Sequence, residues 1–127
     1  MKVAFCYRGE YYRTQFRHRS KEKFDRSNTG SNFFNNFDNH LDYIFSKFRD
    51  YDVFLHTYSY NDSFDQKLLN ALKPKKYIIE KQKHKAIAHS IIESSKLVDT
   101  QYDFIFNLRY DTLFLKEISE LKIDYDL

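Results

Sequence analysis

Four short apolar blocks punctuate an otherwise polar chain, at residues 2–7, 51–57, 76–80 and 102–108. In the first, Val3, Ala4, Phe5 and Cys6 follow one another without a polar residue, which predicts a strand buried on both faces. The last is rich in aromatic residues and also reads as a buried strand, but it ends abruptly in Asn107, Arg109 and Asp111. Between the blocks the apolar period changes from two to about 3.6. Leu41, Ile44, Phe45 and Phe48 share one face of a helix predicted over 37–48, with Asp38 or Asn39 as its cap. Phe64, Leu68, Leu69 and Leu72 do the same over 63–72, where Pro74 marks the end. A longer helix is predicted over 83–98, with Ile87, Ile91 and Val98 on its inward stripe and Ala88 and Ile92 beside them. Residues 11–37 read as a long polar loop, with a helical turn near 11–18, and residues 113–127 as a weaker segment with a turn near 115–121.

Strands that alternate with helical patterns imply an α/β fold of the Rossmann-like kind: one mainly parallel sheet flanked by helices. The consequence is chemical. In such sheets ligands sit beyond the carboxyl ends of the strands, and each predicted strand here is followed by a polar cluster. Arg8-Gly9-Glu10 with Arg13 follows the first, and arginine suits bidentate contact with phosphate. His56-Thr57-Tyr58-Ser59-Tyr60 closes the second, where polar and aromatic groups could meet a base. Glu80-Lys81-Gln82 follows the third. Asn107-Leu108-Arg109-Tyr110-Asp111 follows the fourth, where Arg109 can neutralise a diphosphate and Asp111 can ligate a divalent cation that bridges it. Neither the G-x-G-x-x-G fingerprint nor the P-loop spacing occurs. His18, His40, His84 and His89 show no metal-like spacing, and no Ser–His–Asp arrangement can be read from the order of residues.

Length and composition narrow the partners. A chain of 127 residues is one domain's worth, 1–127, with no visible boundary. Charged residues make up 31% and hydrophobic ones 42%, which predicts a globular chain. No apolar run approaches the ~20 residues of a membrane span. The single cysteine, Cys6, allows no intrachain disulfide, is expected in the core, and points to a cytoplasmic setting. The net charge of +3 is unevenly placed: from Arg8 to Arg26 seven Lys/Arg face Glu10, Glu22 and Asp25, leaving the rest of the chain slightly acidic. An anionic ligand, phosphate or nucleic acid, is the natural partner of that end.

The ordered set of motifs resembles one family. Val3-Ala4-Phe5-Cys6-Tyr7-Arg8-Gly9 is similar to the first strand and nucleotide loop of GT-A-fold glycosyltransferases found in capsule and lipopolysaccharide clusters and in large DNA viruses. Tyr51-Asp52-Val53-Phe54-Leu55-His56-Thr57 resembles their second strand, and residues 73–82 their third. Residues 102–111 resemble their fourth strand with a variant of the Asp-x-Asp motif, in which Arg109 stands where the fuller motif has its first carboxylate. The resemblance implies a GT-A-type domain that binds a nucleotide-diphosphate sugar and passes the sugar to a glycan acceptor, with Mn²⁺ or Mg²⁺ as cofactor. By position, Arg8, Gly9 and Arg13 would border the nucleotide, Thr57 and Tyr58 the base, and Asp111 the metal or diphosphate. The chain stops soon after Asp111, so it corresponds to the donor-binding half, and the sheet edge left open suggests a homodimer. Two alternatives remain at this stage. One is a nucleic-acid-binding module built on the basic segment, with Tyr11 and Tyr12 as stacking platforms. The other is a nucleotide-sugar-binding remnant without activity.

Overall fold

The computed structural model describes residues 1–12, 32–82, 86–99 and 101–119. Every predicted strand forms: β1 Val3–Arg8, β2 Tyr51–Tyr58, β3 Lys76–Glu80 and β4 Phe104–Arg109. They build one four-stranded sheet in the order β3-β2-β1-β4, and every pairing is parallel. Helices α1 Phe33–Tyr43, α2 Asp62–Leu72 and α3 Ile87–Lys96 connect them, with a short 3₁₀ turn Phe45–Lys47 after α1. The fold is therefore the Rossmann-like α/β arrangement read from the sequence. The chain steps outward from β1 to β2 to β3, then returns to the other side of β1, which makes the β1–β4 gap the topological switch point.

The alternation of side chains along β1 assigns the two faces. Val3, Phe5 and Tyr7 join Val53 and Leu55 of β2 in a core covered by α1, the 3₁₀ turn and α2. Phe5 is its hub: its ring meets Phe45 at 5.2 Å and Phe48 at 5.5 Å edge-on, and stacks on Phe106 at 5.5 Å. Such pairs add ~0.5–1.5 kcal/mol each beyond the area they bury. Ala4, Cys6 and Phe54 face the other way, against Leu97, Val98 and Tyr102 at the end of α3. Cys6 is buried as expected, and burial pushes its thiol up to about 11, so the sulfur behaves as a small hydrophobe.

Several elements depart from their predicted form, each for a physical reason. The first helix starts at Phe33, not Phe37, because the Asn32 carboxamide caps it by accepting from the Phe34 N–H at 3.0 Å. It also ends at Tyr43, so Ile44, Phe45 and Phe48 are buried beyond it, while Leu41 is half-exposed. The loop predicted over 11–37 thus loses its last residues to α1; residues 13–31 lie outside the described part, as do 83–85 at the start of the predicted third helix. Helix α2 matches its prediction, and Asn61 caps it through the Phe64 N–H at 2.8 Å. It closes on Lys73 in the left-handed region at φ 46°, whose N–H reaches Leu69 O at 2.8 Å before Pro74 forbids another turn.

Helix α3 turns a different face inward from the one predicted, although Val98, just past its end, packs on the core as expected. Ser90 and Ser94 are its buried residues, whereas Ile91 and Ile92 lie outward, Ile92 with 51% of its surface exposed. The side chain of Ile87 lies outside the described part. Hydrogen bonds from Ser90 to the sheet, described below, hold the polar face inward where periodicity would place the isoleucines. Strand β4 is likewise buried on one face only: Leu108 and the partly buried Phe104 and Phe106 reach the α1 core, while Ile105, Asn107 and Arg109 are exposed. Among the described residues no helix is long and apolar enough to cross a membrane.

Candidate functional site

The parallel sheet brings the strand-end clusters to one edge, as the topology requires. Arg8 and Arg109 are register partners across the β1–β4 switch point, so both side chains rise from the same face, the one that α3 covers over β1 and β2. His56 follows the Tyr7–Leu55 pair just as Arg8 does, and so lies in the same row. Placing two guanidinium groups on neighbouring strands costs energy through like-charge repulsion. Arg109 is partly compensated: its Nη2 donates to Asp111 Oδ2 at 2.9 Å. Among the described residues Arg8 forms no ion pair.

Gly9 turns the chain at the end of β1 with φ +96°, a conformation that a side chain rarely tolerates, although a Cβ there would meet nothing within 4 Å. Both of its backbone groups are engaged. Its N–H donates to Ser90 Oγ at 2.8 Å, and its carbonyl accepts from Thr57 Oγ1 at 2.8 Å. Thr57 is fully buried and Tyr58 nearly so, hence both shape the floor of the edge rather than its surface. Asp111 spends its carboxylate on Arg109 and belongs to no group of three ligand-type side chains among the described residues. Arg13 lies outside the described residues.

A second constellation stands on the same face. His56 is wholly buried, and both of its ring nitrogens are engaged: Nδ1 with Ser90 Oγ at 2.6 Å and Nε2 with Glu80 Oε2 at 2.8 Å. His89 Nε2 reaches the same oxygen, Glu80 Oε2, at 2.8 Å. The imidazole N–H groups hold the Glu80 carboxyl below its usual range, His56 foremost. Because a carboxylate only accepts, each Nε2 carries the proton, and Nδ1 of a neutral His56 accepts from the Ser90 hydroxyl. The chain thus contains a Ser–His–Glu hydrogen-bonded line, but Ser90 is buried and already receives the Gly9 N–H, so its oxygen is not presented as a nucleophile.

The opposite face carries a parallel network. His40, also wholly buried, bonds Tyr7 Oη through Nδ1 at 2.6 Å and the Thr112 carbonyl through Nε2 at 2.6 Å. Nearby, the Tyr11 hydroxyl and the Ser59 hydroxyl both donate to Asp65, which also receives the Tyr60 N–H at 3.1 Å. Tyr11 is therefore wholly buried and closed to stacking by a nucleic-acid base, contrary to expectation. Tyr12 packs on Tyr60 at 4.2 Å and on Phe64 at 5.3 Å.

Of the sequence-predicted residues, the structure gathers Arg8, Gly9, Thr57, Tyr58, Arg109 and Asp111 at one end of the sheet. His89 and Ser90 carry chemistry that the sequence did not single out. No family model matches the chain, and neither a curated protein nor a solved structure is similar to it at a significant level.

Proposed function

We propose that this chain binds a nucleotide-diphosphate sugar at the β1–β4 switch point and serves as the donor-binding half of a glycosyltransferase. The observation that carries this reading is the registration of Arg8 with Arg109 on one face of the sheet at that point. A diphosphate bridging the two guanidinium groups relieves their mutual repulsion and gains charge-assisted hydrogen bonds. The Gly9 turn brings backbone close to the same place, and α3 begins beside it, since Ser90 in its first turns receives the Gly9 N–H. A helix N-terminus favours anions there. In transfer, the developing negative charge on the departing diphosphate would rest on Arg8 and Arg109, while an acceptor hydroxyl attacks the sugar. Mn²⁺ or Mg²⁺, if bound with the donor, would supply further positive charge, with Asp111 as its protein ligand once Arg109 turns to the phosphates.

The test is calorimetric titration with UDP and GDP, with and without Mn²⁺, of the wild type and of Arg8→Ala, Arg109→Ala and Asp111→Ala. Binding of one nucleotide is expected, weakened about tenfold or more by either arginine change, in line with ~1.5–3 kcal/mol for a hydrogen bond to a charged group. Absence of binding to both nucleotides, or steeply salt-dependent binding to an oligonucleotide instead, overturns the proposal.

A further inference from the structure

The cluster of His56, Glu80 and His89 is not used by the nucleotide reading, and its geometry supports a site of its own. The three residues come from β2, the end of β3 and α3, and their ligand atoms all lie within 4.8 Å of one another. Two imidazole nitrogens converge on one carboxylate oxygen, each at 2.8 Å. A tetrahedral zinc ion with bonds of about 2.0–2.2 Å needs its ligands roughly 3.3 Å apart. A small outward shift of the half-exposed Glu80 and His89 side chains, 35% and 23% accessible, supplies that spacing.

We propose that His56 Nε2, His89 Nε2 and the Glu80 carboxylate bind a divalent transition-metal ion of the zinc class, with the fourth position open to water. Two imidazoles and one carboxylate are a donor set that suits zinc and leaves a position free. The buried partner is already oriented for it. Metal binding requires the lone pair of His56 Nε2, so the ring proton must sit on Nδ1. There it donates to Ser90 Oγ, 2.6 Å away. Ser90 then accepts from both His56 and the Gly9 N–H, filling its two lone pairs, and fixes the ring as outer-sphere partners of zinc-bound histidines do. Glu80 and His89 reach solvent, which gives the ion an entry path and a place for its water. An ion held there would staple β2, β3 and α3 together beside the Gly9 turn.

The experiment uses the full chain without a histidine tag and no nucleotide, so that its failure says nothing about the diphosphate site. Zn²⁺ is titrated by calorimetry, and Co²⁺ by its visible absorption, into the wild type, His89→Gln, Glu80→Gln and Asp111→Ala. The two ligand changes fall on partly exposed side chains, and circular dichroism checks that the fold persists. One equivalent of Zn²⁺ is expected, with the strong visible band of tetrahedral Co²⁺, a higher Tm with metal, at least tenfold weaker binding in His89→Gln and Glu80→Gln, and unchanged binding in Asp111→Ala. No binding by the folded wild type, equal binding in all four proteins, or loss confined to Asp111→Ala overturns the proposal.

Discussion

Two histidines, His40 and His56, are both wholly buried on opposite faces of the same sheet, and both use each ring nitrogen. Their partners differ in kind. His40 lies between a phenol and a backbone carbonyl, boxed by the Tyr7 ring at 5.7 Å, Phe33 at 5.4 Å and Phe114 at 5.2 Å. Its Nε2 must carry the proton because a carbonyl cannot donate, and its Nδ1 accepts from Tyr7. Burial holds its pKa below the ordinary 6.5. His56 instead lies between a hydroxyl and a carboxylate, and that carboxylate leads on to a second, partly exposed histidine. The first line of bonds ends inside the protein; the second ends at solvent. A buried imidazole is structural when its bonds close on neutral core groups, and chemically available when they open toward charge and water.

The largest effect that would sharpen this contrast is loss of His40. His40→Ala removes the wall of an aromatic box and leaves the Tyr7 hydroxyl and Thr112 carbonyl without their partner. A loss of ~3 kcal/mol or more is expected in urea denaturation, from the cavity and the unsatisfied polar groups together. Zn²⁺ should raise the Tm of that variant as much as it raises that of the wild type. If instead His40→Ala abolished the zinc effect while still folding, the two networks would be one, and the contrast would fail.

A smaller effect is expected at Ser90. Ser90→Ala strips the hydroxyl from both the Gly9 N–H and His56 Nδ1. Removing one partner of a buried hydrogen bond costs ~1–3 kcal/mol. The useful readout is dual: lower stability from the orphaned Gly9 N–H, and weaker Zn²⁺ binding because the Nδ1–H of a metal-bound His56 loses its acceptor. The hydroxyl of Ser94, the other buried serine of α3, donates to the Ile91 carbonyl of its own helix at 3.0 Å. Ser94→Ala is the matched control, expected to leave zinc affinity unchanged. Equal effects of the two substitutions would reduce Ser90 to a packing residue.

The strands were legible because each is an apolar run bounded by charge, and their order followed from the helical patterns between them. The gathering of Arg8, Gly9, Arg109 and Asp111 at one end was legible for the same reason, since a parallel sheet has one carboxyl edge. The start of α1 was hidden in a run of Asn and Ser, though Asn32 ahead of Phe33, Phe34 and Phe37 is a capping signal that could have been read. The orientation of α3 was not legible. Periodicity weighs Ile91 and Ile92 inward, but the Ser90 bonds to Gly9 and His56 depend on a distant strand and turn. The His56–Glu80–His89 cluster was hidden for a related reason: its members come from three elements, so no local spacing marks them.

The smallest effect concerns pH, and it belongs to His40. His40 has a folded-state pKa below its ordinary 6.5, chiefly because burial opposes the charged ring, while the Thr112 carbonyl pushes weakly the other way. Between the folded and unfolded values the unfolded chain binds a proton that the folded one does not. Stability therefore rises with pH across that window, and it is lost as the pH falls below about 6.5. Above that point His40 contributes no slope. His40→Gln keeps a donor for Thr112 and an acceptor for Tyr7 but cannot titrate. Its Tm, measured from pH 8 to pH 5 beside the wild type, should lie below it at neutral pH and approach it on acidification. Every other titrating group is common to both proteins and cancels in the difference. Parallel curves would mean that His40 titrates alike in the folded and unfolded chain, and that its closed box does not set its charge.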